Sequence, residues 1–388
     1  MTKILRGVTK TVLGACVAAG AALSVAGVAG ASPVAQGLAR AAAAFTNHAV
    51  FVQTDNPSGN QIVTYDRASD GTLSPGATYD TGGNGGISAG SAVDPLASQG
   101  SLVLADGGRA LLAVNAGSGT VSVFRVSDDQ LALWQLIPSG GEFPTSIAVH
   151  GGIVYVLNAG GAGSVQGYVL VGGTLRPLPG SNRSLGLANS DPPNFLESPG
   201  QVGFSPGGSQ VIVTTKQSGS DIDVFSVGFA GLLSLHPVLN TSATPAPFSF
   251  TFDPAGHLVV TEAGTSSLSV YTLNADDTVT ALGSVADGQA ALCWVTQVGG
   301  FYYGSNAGSA TISAFQEGTS GAPVLVGIAA HTEAGTTDSA ATPNGRFLYV
   351  TNGGAGTLDE FHVNADGTLF EIGSVTGLAS PFEGVVAS

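Results

Sequence analysis

Phe347-Leu348-Tyr349-Val350-Thr351-Asn352, followed by Gly353-Gly354-Ala355-Gly356-Thr357-Leu358-Asp359-Glu360-Phe361, decides the fold. A β-rich run ends in a polar residue, small residues make a turn, and a second β-run ends in an aromatic. The phrase recurs along the chain. Aligned on the closing aromatic, its copies fall at Tyr65, Phe124, Tyr168, Phe225, Tyr271, Phe315 and Phe361, at steps of 44 to 59 residues. Nine residues earlier, or ten in the third copy, stand Asn56, Asn115, Asn158, Lys216, Glu262, Asn306 and Asn352.

Working outward from each copy, a shorter strand and a turn precede it, as in Thr251-Phe252-Asp253-Pro254-Ala255-Gly256. Another turn and an alternating strand follow, as in Asn364-Ala365-Asp366-Gly367 leading to Ile372-Gly373-Ser374-Val375. Four short strands per unit and seven units predict an all-β, seven-bladed propeller with four antiparallel strands per blade. Residues 47–388 give about 49 per blade, within the ~40 to 50 of propeller repeats. The first copy lacks an inner strand, while Pro381-Phe382-Glu383-Gly384-Val385-Val386-Ala387 reads as an inner strand with nothing after it. The C-terminal strand is therefore expected to complete the first blade and remove the open edge. Long steps place insertions at 82–100 and 182–199, read as loops between blades.

Ahead of the repeats, Lys3, Arg6 and Lys10 lead into an Ala-, Val-, Leu- and Gly-rich run that closes on Ala29-Gly30-Ala31. This reads as a cleaved export signal over residues 1–31, followed by a tail over 32–46. A secreted, extracellular protein is expected, with no membrane association after cleavage. Removing the signal leaves 8 basic against 26 acidic residues, a net charge of −18. That balance argues against nucleic acid as a partner. Lys216 is then the only lysine and Cys293 the only cysteine, so no intrachain disulfide is available and a monomer stabilised by packing is expected.

The repeat pattern resembles the lactonase-type seven-bladed propellers, the family of bacterial 6-phosphogluconolactonase and fungal 3-carboxymuconate cyclase. Ala246-Pro247-Phe248-Ser249-Phe250-Thr251-Phe252-Asp253-Pro254 with Thr261-Glu262 is similar to a phrase of that family in the fifth blade. By that resemblance the family's Arg falls on Phe248, its neighbouring His on Ser249, and its acidic residue on Glu262. In the sixth blade Ser305-Asn306-Ala307-Gly308 puts Ala307 where the family has a second Arg. In the fourth, Pro199-Gly200-Gln201 replaces a His-bearing phrase. Lactone chemistry beside anionic groups needs a proton carrier and cationic donors. A lone Glu262 supplies neither, which implies a diverged site.

Propeller geometry puts Lys216, Glu262, Glu197, Gln201, Trp294, Asp338 and Glu383 around one channel mouth. Lys216 and Glu262 depart from Asn in consecutive blades, as a charged pair on a binding funnel or as an inter-blade salt bridge. The repeated Asn residues are read as scaffold. His331, Glu333 and Asp338 share a loop on this face, and His331 is the only His placed for acid–base work; His257 falls in a turn on the opposite face and is given no role. Cys293 is either a reactive thiol or a core residue, with Trp294 alternating to face the channel. Gly86-Ile87-Ser88-Ala89-Gly90 fits a nucleophile elbow only by pattern, without a following helix. No transition-metal spacing exists, and no cofactor is expected; a Ca²⁺ held by channel carboxylates stays open.

Two functions follow. One is a diverged propeller that binds a small ligand or protein partner at its acidic channel mouth. The other is an active lactone hydrolase or muconate-type cycloisomerase with Glu262 as base, helped by His331 or a bound cation.

Overall fold

The computed structural model describes residues 48–388, so the predicted export signal and the tail over 32–46 lie outside the described residues. Within them, seven antiparallel sheets of the propeller type form. Blade 1 takes its inner strand from the C-terminus, Val385–Ala387, followed outward by Ala49–Gln53, Gln61–Arg67 and Leu73–Asp80. Val50 pairs with Ala387 and Val52 with Val385, and the Arg67 guanidinium donates to the Ser388 carbonyl at 2.7 Å. The predicted closure is present.

Blades 2 to 7 run in chain order, each from an inner strand outward. Their inner strands are Leu102–Ala105, Pro144–His150, Gln201–Phe204, Pro247–Phe252, Leu292–Val298 and Thr336–Ala341. Blade 3 carries an extra short strand, Arg183–Ser184, beside its third strand. Among the described residues, helix is limited to three short 3₁₀ turns, and no helix is long and apolar enough to cross a membrane.

The repeat aromatics explain the stacking. Each closes a third strand opposite an apolar residue of the second, as in Leu348 opposite Phe361 and Leu111 opposite Phe124. All seven are at most 5% exposed. Buried apolar side chains divide into seven clusters, each lying between two neighbouring blades. Full burial of one such aromatic stabilises by about 1.5–3 kcal/mol, so every interface contributes similarly. An eighth cluster, Phe248, Cys293 and Trp294, lies apart.

The strand-end ring differs from the one counted in sequence. The last backbone pair before each turn puts Thr54, Asn115, Asn158, Thr215, Glu262, Asn306 and Asn352 at, or for Thr54 and Thr215 one residue past, the ends of the second strands. Asn56 and Lys216 fall beyond the strand, because the turns of blades 1 and 4 are longer than those of blades 2, 5, 6 and 7. One step past the ring stand Asp55, Ala116, Ala159, Lys216, Ala263, Ala307 and Gly353. Only two of these are charged, and they sit on opposite sides of the axis.

Candidate functional site: a walled cavity beside a plugged axis

The insertion at 82–100 does more than connect blades 1 and 2. It runs over the turns that join second to third strands and enters the axis. Gly353 and Gly117 permit this course, since a Cβ on Gly353 would stand 1.9 Å from the Val93 carbonyl oxygen and one on Gly117 2.1 Å from that of Gly85. Leu96, Ala97 and Ser98 are then at most 1% exposed. The Leu96 N–H and Ser98 hydroxyl donate to the two oxygens of Glu383, at 3.1 and 2.9 Å. The Gln99 amide donates to the Val295 carbonyl at 3.0 Å and accepts the Val295 N–H at 3.1 Å. Gln99 N–H donates to Gly200 and the Trp294 indole N–H to Ser98, so blades 1, 4 and 6 hold one segment. The open mouth expected from sequence is closed by these residues.

The insertion at 182–199 meets the first: Ala89 N–H donates to Pro193 and Phe195 N–H to Ala89, a short parallel bridge. Beneath their junction is a cavity of about 270 Å³ beside blades 4, 5 and 6. Phe195, Phe248 and Trp294 wall it, with Phe248 and Trp294 edge to face at 5.0 Å between centroids. Small residues Ala263, Ala291 and Ala307 leave the space. Both Cys293 and Trp294 line it, although alternation predicts only one. The reason is a β-bulge: Leu292 pairs with Asn306 and Trp294 with Ser305, so Cys293 is the extra residue.

Lys216 lines the cavity but is fully engaged. Its ammonium donates to the Ala97 carbonyl at 2.6 Å, the Phe195 carbonyl at 2.7 Å and the Ser198 hydroxyl at 2.8 Å, and stands 5.0 Å from the Phe248 ring centroid. Burial pulls its pKa down to about 7 against the pull of Asp94. Three acceptors match the three N–H of the ammonium and favour its charged form against that burial. Burial also pushes the Cys293 thiol up to about 12, which keeps it an unreactive thiol at neutral pH.

Acidic groups surround the plug. Asp55, absent from the sequence reading because of the turn-length shift, is pushed up to about 8 by burial, and its carboxylate accepts the Glu383 N–H at 3.2 Å. Asp338 is pushed up to about 7 by burial and accepts the N–H of Ser339 at 2.8 Å. Asp94, also missed, lines the cavity and is raised well above its ordinary value by burial, with Lys216 opposing. These carboxylates do not converge: among the described residues the one group of three metal-capable side chains is Asp253, His257 and Glu317. There His257 Nδ1 bonds Asp253 at 2.6 Å within a turn on the opposite face.

The remaining predicted site residues are scattered. Glu262 is 0% exposed and accepts from Ser242, Thr244, Ser269 and Tyr271, each at 2.5 Å, so it faces no cavity. It forms no salt bridge with Lys216. Gln201 uses its side-chain oxygen to accept the Phe250 N–H at 2.7 Å. Glu197 is exposed on the second insertion, and His331 is exposed at the end of the outer strand of blade 6. The Asn residues of the ring bond third-strand hydroxyls, as Asn115 does to Thr120 and Ser122, which fits a scaffold role.

This architecture is that of the seven-bladed β-propellers that include gluconolactonases. It is similar to a candidate 6-phosphogluconolactonase of Bacteroides uniformis, at 19% identity and TM-score 0.68, covering 87% of this chain and 98% of that one. A candidate 6-phosphogluconolactonase of Bacteroides fragilis matches at 18% identity and TM-score 0.65, over 87% and 96%. The periplasmic gluconolactonase of Pseudomonas aeruginosa matches at 17% identity and TM-score 0.65, over 87% and 98%. No protein-family model matches the chain, and no curated protein matches it.

Proposed function

We propose that this protein is an exported, catalytically diverged lactonase-like propeller that binds a small, largely apolar ligand in the cavity beside blades 4, 5 and 6. One observation carries the reading. Phe248 and Ala307, the two positions where the family resemblance places arginines, both line the cavity. A phosphorylated or carboxylated lactone there meets a phenyl ring and a methyl group instead of two guanidinium groups. The acidic residue of the resemblance, Glu262, is enclosed by four hydroxyl donors and is out of reach as a base. Export rests on the reading of residues 1–31, and the mature chain acts as a monomer.

Equilibrium dialysis with naphthalene tests the binding half: one equivalent is expected to bind, and Ala307→Phe to abolish it by filling the space. Lactone hydrolysis tests the other half. Glucono-δ-lactone and its 6-phosphate should open at the buffer rate with both the native protein and Glu262→Gln. A rate above buffer that disappears in Glu262→Gln would restore the hydrolase reading.

A further inference from the structure

We infer that the cavity takes a neutral one- or two-ring compound bearing a hydroxyl group, and that Asp94 is the residue that holds the hydroxyl. The inference rests on the ligand-binding reading above and names its chemistry.

Several polar groups around the cavity are spent, while the Gln217 amide lies exposed at its edge and the Cys293 thiol is only a weak donor. Lys216 uses its three N–H groups on the chain, the Trp294 indole N–H is bonded to Ser98, and the Ser91 hydroxyl donates to the Asp94 backbone carbonyl. Asp94 differs. It is 6% exposed, its Oδ1 accepts the Ala97 N–H at 2.8 Å, and among the described residues no group donates to Oδ2. A carboxyl oxygen that takes no hydrogen bond from the protein, on a largely buried side chain lining an apolar cavity, is a place for a ligand group to bond.

Charge narrows the ligand. Asp94 and Lys216 line the same cavity, so one acidic and one basic side chain already share it. A ligand carboxylate would face Asp94 with no N–H of Lys216 left to hold it, and for a ligand ammonium the repulsion of Lys216 would offset the attraction of Asp94. A hydroxyl avoids both costs. It donates to Asp94 as a carboxylate and accepts from it as a carboxylic acid, so it suits either protonation state.

Shape supplies the rest. The aromatic walls Phe195, Phe248 and Trp294 favour a ring stacked or set edge-on. The cavity, at about 270 Å³, exceeds the roughly 150 Å³ that accommodates benzene and falls just short of the roughly 300 Å³ at which drug-sized sites begin.

Equilibrium dialysis of the purified protein against naphthalene, 2-naphthol and 2-naphthoate tests the assignment. The expected order is 2-naphthol about tenfold or more tighter than naphthalene, as a hydrogen bond to a charged group allows, with 2-naphthoate weakest. Asp94→Ala should bring 2-naphthol down to the naphthalene affinity while naphthalene binding holds, showing the cavity intact. Asp94→Asn, which still accepts and donates, should keep part of the preference. Equal affinities for naphthalene and 2-naphthol in the native protein, a preference that survives Asp94→Ala, or tightest binding of 2-naphthoate would overturn the role of Asp94 and leave the cavity reading standing. Binding of none of the three would overturn both.

Discussion

The indole N–H of Trp294 donates to the backbone carbonyl of Ser98 at 2.7 Å, joining two residues 196 positions apart in the chain. One belongs to the inner strand of blade 6, the other to the insertion that fills the axis. The bond makes the cavity wall and the plug a single unit, so a change in one is felt by the other.

Trp294→Phe tests that unit. The ring is largely conserved while Ser98 loses its donor inside the protein, at a cost of about 1–3 kcal/mol. The urea midpoint should fall accordingly, and proteolytic cutting within 82–100 should quicken. An unchanged midpoint and cutting rate would show that the plug is held without this bond.

Glu262→Gln separates scaffold from chemistry. Ser242, Thr244, Ser269 and Tyr271 all direct hydroxyl groups at this carboxylate, and the glutamine NH₂ would face donors where an acceptor is required. We expect a loss of about 2–4 kcal/mol in chemical denaturation, as for a buried charged acceptor network.

Stability should fall as pH rises from 5 to 8. Burial raises Asp55 to about 8 and Asp338 and Asp223 to about 7, from an ordinary value of 3.8. Between those limits the folded chain holds protons that the unfolded chain has released, so raising the pH favours unfolding. This contribution is fully in place below about 3.8 and is lost as pH climbs through about 7 to 8. Asp223, whose Oδ1 is buried without a partner, gives a clean variant. Asp223→Asn should stabilise by on the order of 4 kcal/mol at pH 8 and on the order of 2 kcal/mol at pH 5, from 1.36 kcal/mol per pKa unit. Thermal melts at the two pH values read the difference, and an equal gain at both would contradict the assignment.

Ending the chain at Gly384 removes the strand Val385–Ala387 and its pairing with Ala49–Gln53. Blade 1 would then show a buried strand as an open edge. Loss of a cooperative transition, or a drop of roughly 4 kcal/mol or more, is expected, together with concentration-dependent aggregation in light scattering. A truncated protein that melts like the full chain would mean the ring does not depend on its closure.

The ring itself was legible because each blade repeats a local phrase. Tyr65 through Phe361 mark the third strands, and the stray inner strand near Val385 has only one place to go. The site was less legible, for two physical reasons. Turn lengths vary by one or two residues, which hid Asp55 and displaced Lys216 from the strand-end ring. The plug is held largely through backbone carbonyls and N–H groups of distant segments, as in Lys216 to Ala97 and Gln99 to Val295, and such bonds leave no spacing to read. The bulge at Cys293 has the same effect on alternation, since an extra residue in one strand is specified by the partner strand as much as by its own sequence.

With Leu96, Ala97 and Ser98 seated on the axis, the hole of the ring offers no passage past them on this face. A molecule in the side chamber therefore leaves past its exposed lining, which comprises Gly90 and Ala92, Leu196, Gln217 and Gly264. How long it stays is then a property of these surface segments, and changes to them should alter dwell time more than they alter the fit of the molecule inside.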